Sequence, residues 1–177
     1  PDVVRAEETS AADELLEHLL ERSLHEAFAS LSEMRKKEGE RLKADLLSRM
    51  SVIETLTDTI AVRAPRVAEE YRKKLADRIQ EFLAGKADEA RILTEAAVFA
   101  DKCSIDEELT RLRAHIKAFR EICLLEQVGR KLDFLVQEFN RECNTICSKS
   151  SDQEITANAL QMKNEIEKVR EQIQNLE

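Results

Sequence analysis

Two glutamates one helical turn apart, Glu138 and Glu142, stand in the stretch "LDFLVQEFNRECNTICSK". Leu132, Leu135, Phe139, Cys143 and Ile146 recur there at helical spacing, so the stretch reads as an amphipathic helix with these residues on its core side. On that wheel Glu138 and Glu142 turn outward together, their side chains about 6 Å apart. Two carboxylates so placed repel each other unless something cationic lies between them. A divalent ion would serve, and oxygen ligands of this kind suit Mg²⁺ or Mn²⁺. Lys131 and Arg141, or a neighbouring helix, would neutralise the pair equally well, and structural ion-pair networks are common.

The stretch "IDEELTRLRAHIKAFR" holds a second set: Glu108, Arg111 and His115 share one face, with Leu109, Leu112, Ile116 and Phe119 largely on the other. An imidazole there is able to ligate a metal or carry a proton near neutral pH, or to sit at the surface beside a carboxylate. Glu108 and His115 are separated by about 10 Å along a helix axis, so one ion does not readily take both.

The elements that must position these groups are helices. The chain of 177 residues has only three Gly and two Pro, few aromatics and 36% charged residues, a composition of long helices and coiled coils. An all-α fold is expected: a long helical hairpin followed by a helical bundle with a C-terminal heptad helix. Leu16, Leu20, Leu24, Ala27, Leu31 and Met34 step by four and three, and Leu42, Leu46, Ile53, Leu56 and Ile60 continue the stripe. Pro65 fits the first turn of a new helix, where its missing N–H is harmless. Tyr71, Leu75, Ile79 and Leu83 would then pack back on the first helix as an antiparallel hairpin ended by Gly85. Residues 1–86 are assigned to that hairpin and 87–177 to a C-terminal helical domain carrying the chemistry. Capping boxes in "SIDE" (Ser104, Glu107) and "SDQE" (Ser151, Glu154) announce two further helices. The last carries Ile155, Ala159, Met162, Ile166, Val169, Ile173 and Leu176, a heptad seam to be covered by the first helix or by another copy of the chain.

Composition and motifs exclude several classes. The sequence contains no Gly-rich phosphate loop, HExxH, nucleophile elbow or dinucleotide fingerprint. No uncharged run approaches the roughly 20 apolar residues that span a bilayer, and "PDVVRAEETS" lacks a secretory pattern, so a cytoplasmic location without membrane contact is expected. A net charge of −8 argues against a general polyanion binder. Residues 101–149, however, carry nine Lys or Arg against nine Asp or Glu, which leaves room for a local nucleic-acid site. Cys143 and Cys147 lie one turn apart, but no second pair or nearby His completes a zinc set. With Cys103 and Cys123 they read as buried, reduced thiols.

The segments "DEARILTEAAVFADKCSIDEELTRLRAHIKAF", "GRKLDFLVQEFNRECNTICSKSSDQEI" and "KNEIEKVREQIQNLE" resemble the C-terminal region of the YicC-like bacterial family. "MRKKEGERLKADL" and "RAPRVAEEYRKKL" are similar to its middle, while the family's N-terminal domain, which opens near "MTGFG", is absent. Cys103, Cys143 and Cys147 depart from the small or apolar residues expected at those positions. The resemblance implies a cytoplasmic endoribonuclease that uses a divalent metal, manganese above all, and assembles as a homo-hexamer around an RNA-holding cavity. By the same resemblance Glu108, His115, Glu138 and Glu142 would form the catalytic set, with Glu138 and Glu142 holding the metal and either Glu108 or His115 completing its shell. Arg111, Arg130, Lys131 and Arg141 would meet RNA phosphates, and Asn140 and Asn144 would bond sugar or base edges. The competing expectation is a non-catalytic helical scaffold, or an RNA adaptor that delivers RNA to a separate nuclease.

Overall fold

A computed structural model describes residues 10–83, 89–125 and 128–174. They form α1 (Ser10–Leu83), α2 (Glu89–Cys103), α3 (Asp106–Ile122), α4 (Gly129–Lys149) and α5 (Gln153–Ile173), with no strand among the described residues. The all-α expectation holds. Two compact units divide the chain, residues 1–42 and 43–177.

In the first unit, Leu16, Leu20, Leu24, Phe28, Leu31 and Met34 are all exposed, so this half of the apolar stripe is uncovered among the described residues. The second unit holds the core. Leu46, Met50, Ile53, Leu56 and Ile60 of α1 are buried together with the α5 seam from Ile155 to Ile173. Arg49 pairs with Glu165 at 3.1 Å and Arg63 with Asp152 at 2.7 Å, which sets α5 antiparallel to this part of α1. The heptad seam is therefore covered within the chain, by α4, where Met162 meets Cys143, and by this part of α1; Leu176 lies outside the described residues. Arg113 to Asp58 and Arg120 to Glu54 bind α3 to the same stretch of α1. Leu109, Leu112, Ile116 and Phe119 of α3 and Leu132, Val136, Phe139, Cys143 and Ile146 of α4 complete the interior.

The break expected at Pro65 is not made. α1 runs through it, and the apolar stripe continues without a change of register from buried Ile60 to the partly buried Ala64 and Val67. A helix-interior proline forfeits one backbone hydrogen bond. Here Arg63 spans the position, pairing with Glu70 at 2.6 Å on one side and with Asp152 and Glu154 of α5 on the other. The antiparallel partner of the Tyr71 segment is consequently α2, not the first half of α1: Tyr71 stacks on Phe99 with ring centroids 3.5 Å apart. Gly85, the expected terminator, lies outside the described residues.

Both helix starts also shift from the capping boxes. α3 begins at Asp106 with Ile105, which has no side-chain acceptor, as its N-cap, and Glu107 accepts from Arg111 and not from the Ser104 backbone. α5 is capped one residue later than expected, by Asp152, whose Oδ1 accepts from the Ile155 N–H at 3.0 Å. Cys143 lies wholly buried, and its Sγ–H donates to Met162 Sδ at 3.2 Å. Burial, then the neighbouring Cys147, pushes its thiol pKa up to about 12, which keeps it protonated.

The hydrogen bond from Arg63, then the Ile155 N–H, holds the Asp152 carboxyl below its ordinary 3.8. A depressed carboxyl contributes stability that is present above the unfolded pKa and lost as pH falls through the folded one. Asp152→Asn keeps an N-cap acceptor but removes the charge. It should be less stable than the parent at pH 7, with the gap closing as pH falls from about 5 to below 3. Asp152→Ala should cost about 1 kcal/mol more than Asn at neutral pH, for loss of the cap. Urea melts followed by circular dichroism across that range measure both differences.

Candidate metal and RNA site

α3 and α4 pack antiparallel, and their facing polar residues form a short ladder of contacts. His115 of α3 stands opposite Glu138 and Glu142 of α4: one ring nitrogen and one carboxylate oxygen from each glutamate all lie within 4.8 Å of one another. Next along the ladder, Arg111 Nη1 donates to Glu142 Oε1 at 3.4 Å, and its other branch is held by Glu107. At the far end Lys149 Nζ donates to Glu108 Oε1 at 2.8 Å and to the Ser104 carbonyl at 3.1 Å.

Glu138 and Glu142 were expected to project outward, but Glu142 is only 2% exposed. The pair sits at the border of the α4 core stripe, and α3 covers that border. Each carboxylate has one guanidinium at the limit of pairing distance, Arg111 for Glu142 and Arg141 for Glu138 at 3.8 Å. A nearly dry carboxylate with a single long hydrogen bond is poorly compensated. Loss of water works against the Arg111 charge, yet Glu107 and Glu142 outweigh it and raise its pKa, so Arg111 stays cationic.

His115 is half-buried, and its ring meets Phe139 edge-on with centroids 5.9 Å apart. Its Nε2 is buried without a hydrogen-bond partner among the described residues. A buried orphan nitrogen beside two carboxylates suits a divalent cation, because ligands on opposite sides of an ion at about 2.1 Å lie about 4.2 Å apart. One imidazole and two carboxylates also suit Mn²⁺ better than Mg²⁺, which favours oxygen alone.

Glu108 does not join this group. It is buried at 3% exposure and tied to Lys149, so the structure brings His115, and not Glu108, to the glutamate pair. The seven-residue gap from His115 already opposed a shared ion. Arg130 and Lys131 are exposed on the first turn of α4, about 12 Å along the axis from Glu138, and touch neither glutamate. Asn140 and Asn144 turn toward α5, where Asn144 accepts from Lys163 at 2.8 Å. The sequence reading missed Lys149, although it lies on the Glu138–Glu142 stripe two turns beyond Glu142. It also treated Phe139 as core alone. Glu165 is a half-buried partner of Arg49 and Lys168.

The family described as Endoribonuclease YicC-like, C-terminal, matches residues 60–177. A relative named "Probable endoribonuclease YicC" from Clostridioides difficile is 42% identical over 180 residues, covering 100% of this chain and 61% of its own length. Another of the same name from Haemophilus influenzae is 38% identical over 178 residues, with the same coverage. The chain thus spans about three fifths of these relatives.

The electrostatics predict opposite signs for two substitutions measured without metal. Glu142→Gln removes the buried charge and its repulsion with Glu138, and should leave stability equal to or above that of the parent in chelator. Arg111→Gln strips the buried carboxylate of its one partner and should lower stability. Urea denaturation of the two variants beside an exposed control, Glu121→Gln, tests this. Equal destabilisation by the first two would identify an ordinary structural ion pair.

Proposed function

The chain belongs to the YicC-like endoribonuclease family, and from that membership and the α3–α4 site we propose that it carries the metal-dependent centre of an endoribonuclease that cleaves RNA phosphodiester bonds. The observation that carries this reading is the convergence of His115, Glu138 and Glu142 within 4.8 Å. These three would hold one divalent ion, manganese by the character of the donor set. When bound, the ion supplies Lewis-acid charge stabilisation at a phosphate and activation of water.

The chain's own residues supply the rest. Arg111 reaches the rim of the site with 44% of its side chain exposed and stays charged, so it is placed to hold a phosphate oxygen against Glu142. Arg141, at 70% exposure beside Glu138, is placed to do the same from the other flank. Lys149 fixes Glu108 and so fixes the start of α3, which carries both Arg111 and His115. Phe139 limits the orientation of the imidazole. Should His115 instead act as a base on the 2′-hydroxyl, it would need its ring nitrogen free of the ion, and the two roles exclude each other at that atom.

A cytoplasmic site of action accords with the four free thiols, which suit a reducing compartment. No described helix is long and apolar enough to cross a membrane.

Cleavage is tested by incubating the full-length protein with a structured RNA, with Mn²⁺, with Mg²⁺ and with chelator. Fragments are expected with Mn²⁺ and absent with chelator, and Glu142→Gln and His115→Ala should each lower the rate by at least a factor of about 100. A substrate carrying a 2′-deoxy nucleotide at the cut position should still be cleaved if water is the nucleophile. RNA bound in every condition without fragments would replace the enzyme by an adaptor.

We further propose a homo-oligomer, with the hexamer implied by the resemblance. The support is the first unit, where Leu16, Leu20, Leu24, Phe28, Leu31 and Met34 leave an apolar helix face uncovered among the described residues. Light scattering should give a mass that is a multiple of 20.3 kDa and rises with concentration. Leu20→Glu combined with Phe28→Glu should lower it. A single 20.3 kDa species in the parent across micromolar concentrations rejects the claim.

A further inference from the structure

α4 has a second polar border, turned toward α5, that the ladder to α3 does not use. An open groove of about 520 Å³ runs there, lined by Gln137, Asn140, Arg141, Asn144 and Thr145 of α4 and by Arg170 of α5. No carboxylate among the described residues lines it, in a chain where 36 acidic residues outnumber 28 basic ones. Its amides are polarised by their neighbours. Lys163 donates to the Asn144 oxygen at 2.8 Å, which leaves the Asn144 N–H groups to donate outward. Gln137 spends a donor on Asp133 at 3.0 Å, which leaves its oxygen to accept. The groove runs about 14 Å along α4, from Val136 to Thr145, and Arg141, which lines it, also lies 3.8 Å from Glu138, so that one side chain links the groove to the candidate metal site.

We propose that this groove is a track for single-stranded RNA leading into the α3–α4 site, with Arg170 and Lys163 as phosphate contacts that the sequence reading did not identify. The identity of the ligand as RNA rests on the reading given under Proposed function; the groove itself does not depend on the metal. Guanidinium and ammonium groups meet phosphate oxygens, while side-chain amides, each with a donor and an acceptor, match the edges of bases. In an A-form duplex the Watson–Crick edges are consumed by pairing and the major-groove edges lie in a deep, narrow groove that side chains do not read, so amides in a surface groove favour unpaired bases. Arg170 has 49% of its side chain exposed and pairs with Glu167 only at 3.5 Å, so a phosphate is able to compete for it.

The test measures binding of the 177-residue chain to a labelled, unstructured oligoribonucleotide by fluorescence anisotropy, in chelator and across a salt series. Arg170→Gln and Lys163→Gln should each weaken binding several-fold and reduce the slope of log K against log salt by about 0.7, the value of one phosphate contact on a single strand. Arg170→Lys, which keeps the charge, should retain most of the affinity, and a blunt duplex of the same sequence should compete poorly. Melting curves and the stabilisation produced by added Mn²⁺ should match the parent in all three variants.

Unchanged affinity and salt slope in folded Arg170→Gln and Lys163→Gln would overturn the proposal. So would a changed scattering mass with unchanged RNA binding, which would make the groove a contact between protein chains. The two readings fail separately. An intact effect of Arg170 on binding, with no cleavage under any metal condition, removes the nuclease and keeps the track. Metal-dependent cleavage with no effect of the groove variants does the reverse.

Discussion

The second unit is organised by the way α4 divides its circumference. One stripe, Leu132, Leu135, Phe139, Cys143 and Ile146, is given to the core. At 3.6 residues per turn, the residues flanking such a stripe fall on its two borders, and each border faces a different neighbour. Glu138, Glu142 and Lys149 fall on the α3 side; Gln137, Asn140 and Asn144 fall on the α5 side. Neither arrangement exists without the other two helices held in place. That is the task of the 46–60 stretch of α1, buried against both and pinned by Arg49–Glu165, Arg113–Asp58 and Arg120–Glu54.

Periodicity made the helices legible because every core residue of α3, α4 and α5 repeats at three or four positions. It also placed Glu138 beside Glu142 and Glu108 away from His115, since those are distances within one helix. What it could not supply is which border of α4 another helix would cover. Glu142 was placed in solvent on the wheel because the wheel contains no α3, and Lys149 was passed over because its partner is 41 residues away. The family resemblance marked a set of residues without saying which of them meet. The geometry then sorted them into the group near His115, the Glu108–Lys149 pair, and the amides facing α5.

Proline misled for a physical reason. Pro65 is a sound helix start when nothing else is known, and its cost in a helix interior is about 3 kcal/mol. The unbroken apolar register through Ile60, Ala64 and Val67, with Arg63 bonded forward to Glu70, shows burial outweighing that cost. The same principle explains the uncapped start of α3. Three acidic residues, Asp106, Glu107 and Glu108, favour the N-terminal end of a helix dipole, and a side-chain cap is not required for the helix to begin there.

The proline has a consequence for cooperativity. A helix deprived of one ladder bond parts more readily at that point than elsewhere, so α1 has a built-in boundary between the buried 46–60 stretch and the half-buried residues after Pro65. Beyond the boundary, Tyr71 is stacked on Phe99 of α2, so the end of α1 is tied to α2 and would open together with it. Amide exchange would then fall into two classes along a single helix. Arg63, bonded to Glu70 on the far side and to Asp152 and Glu154 of α5, is the joint between them.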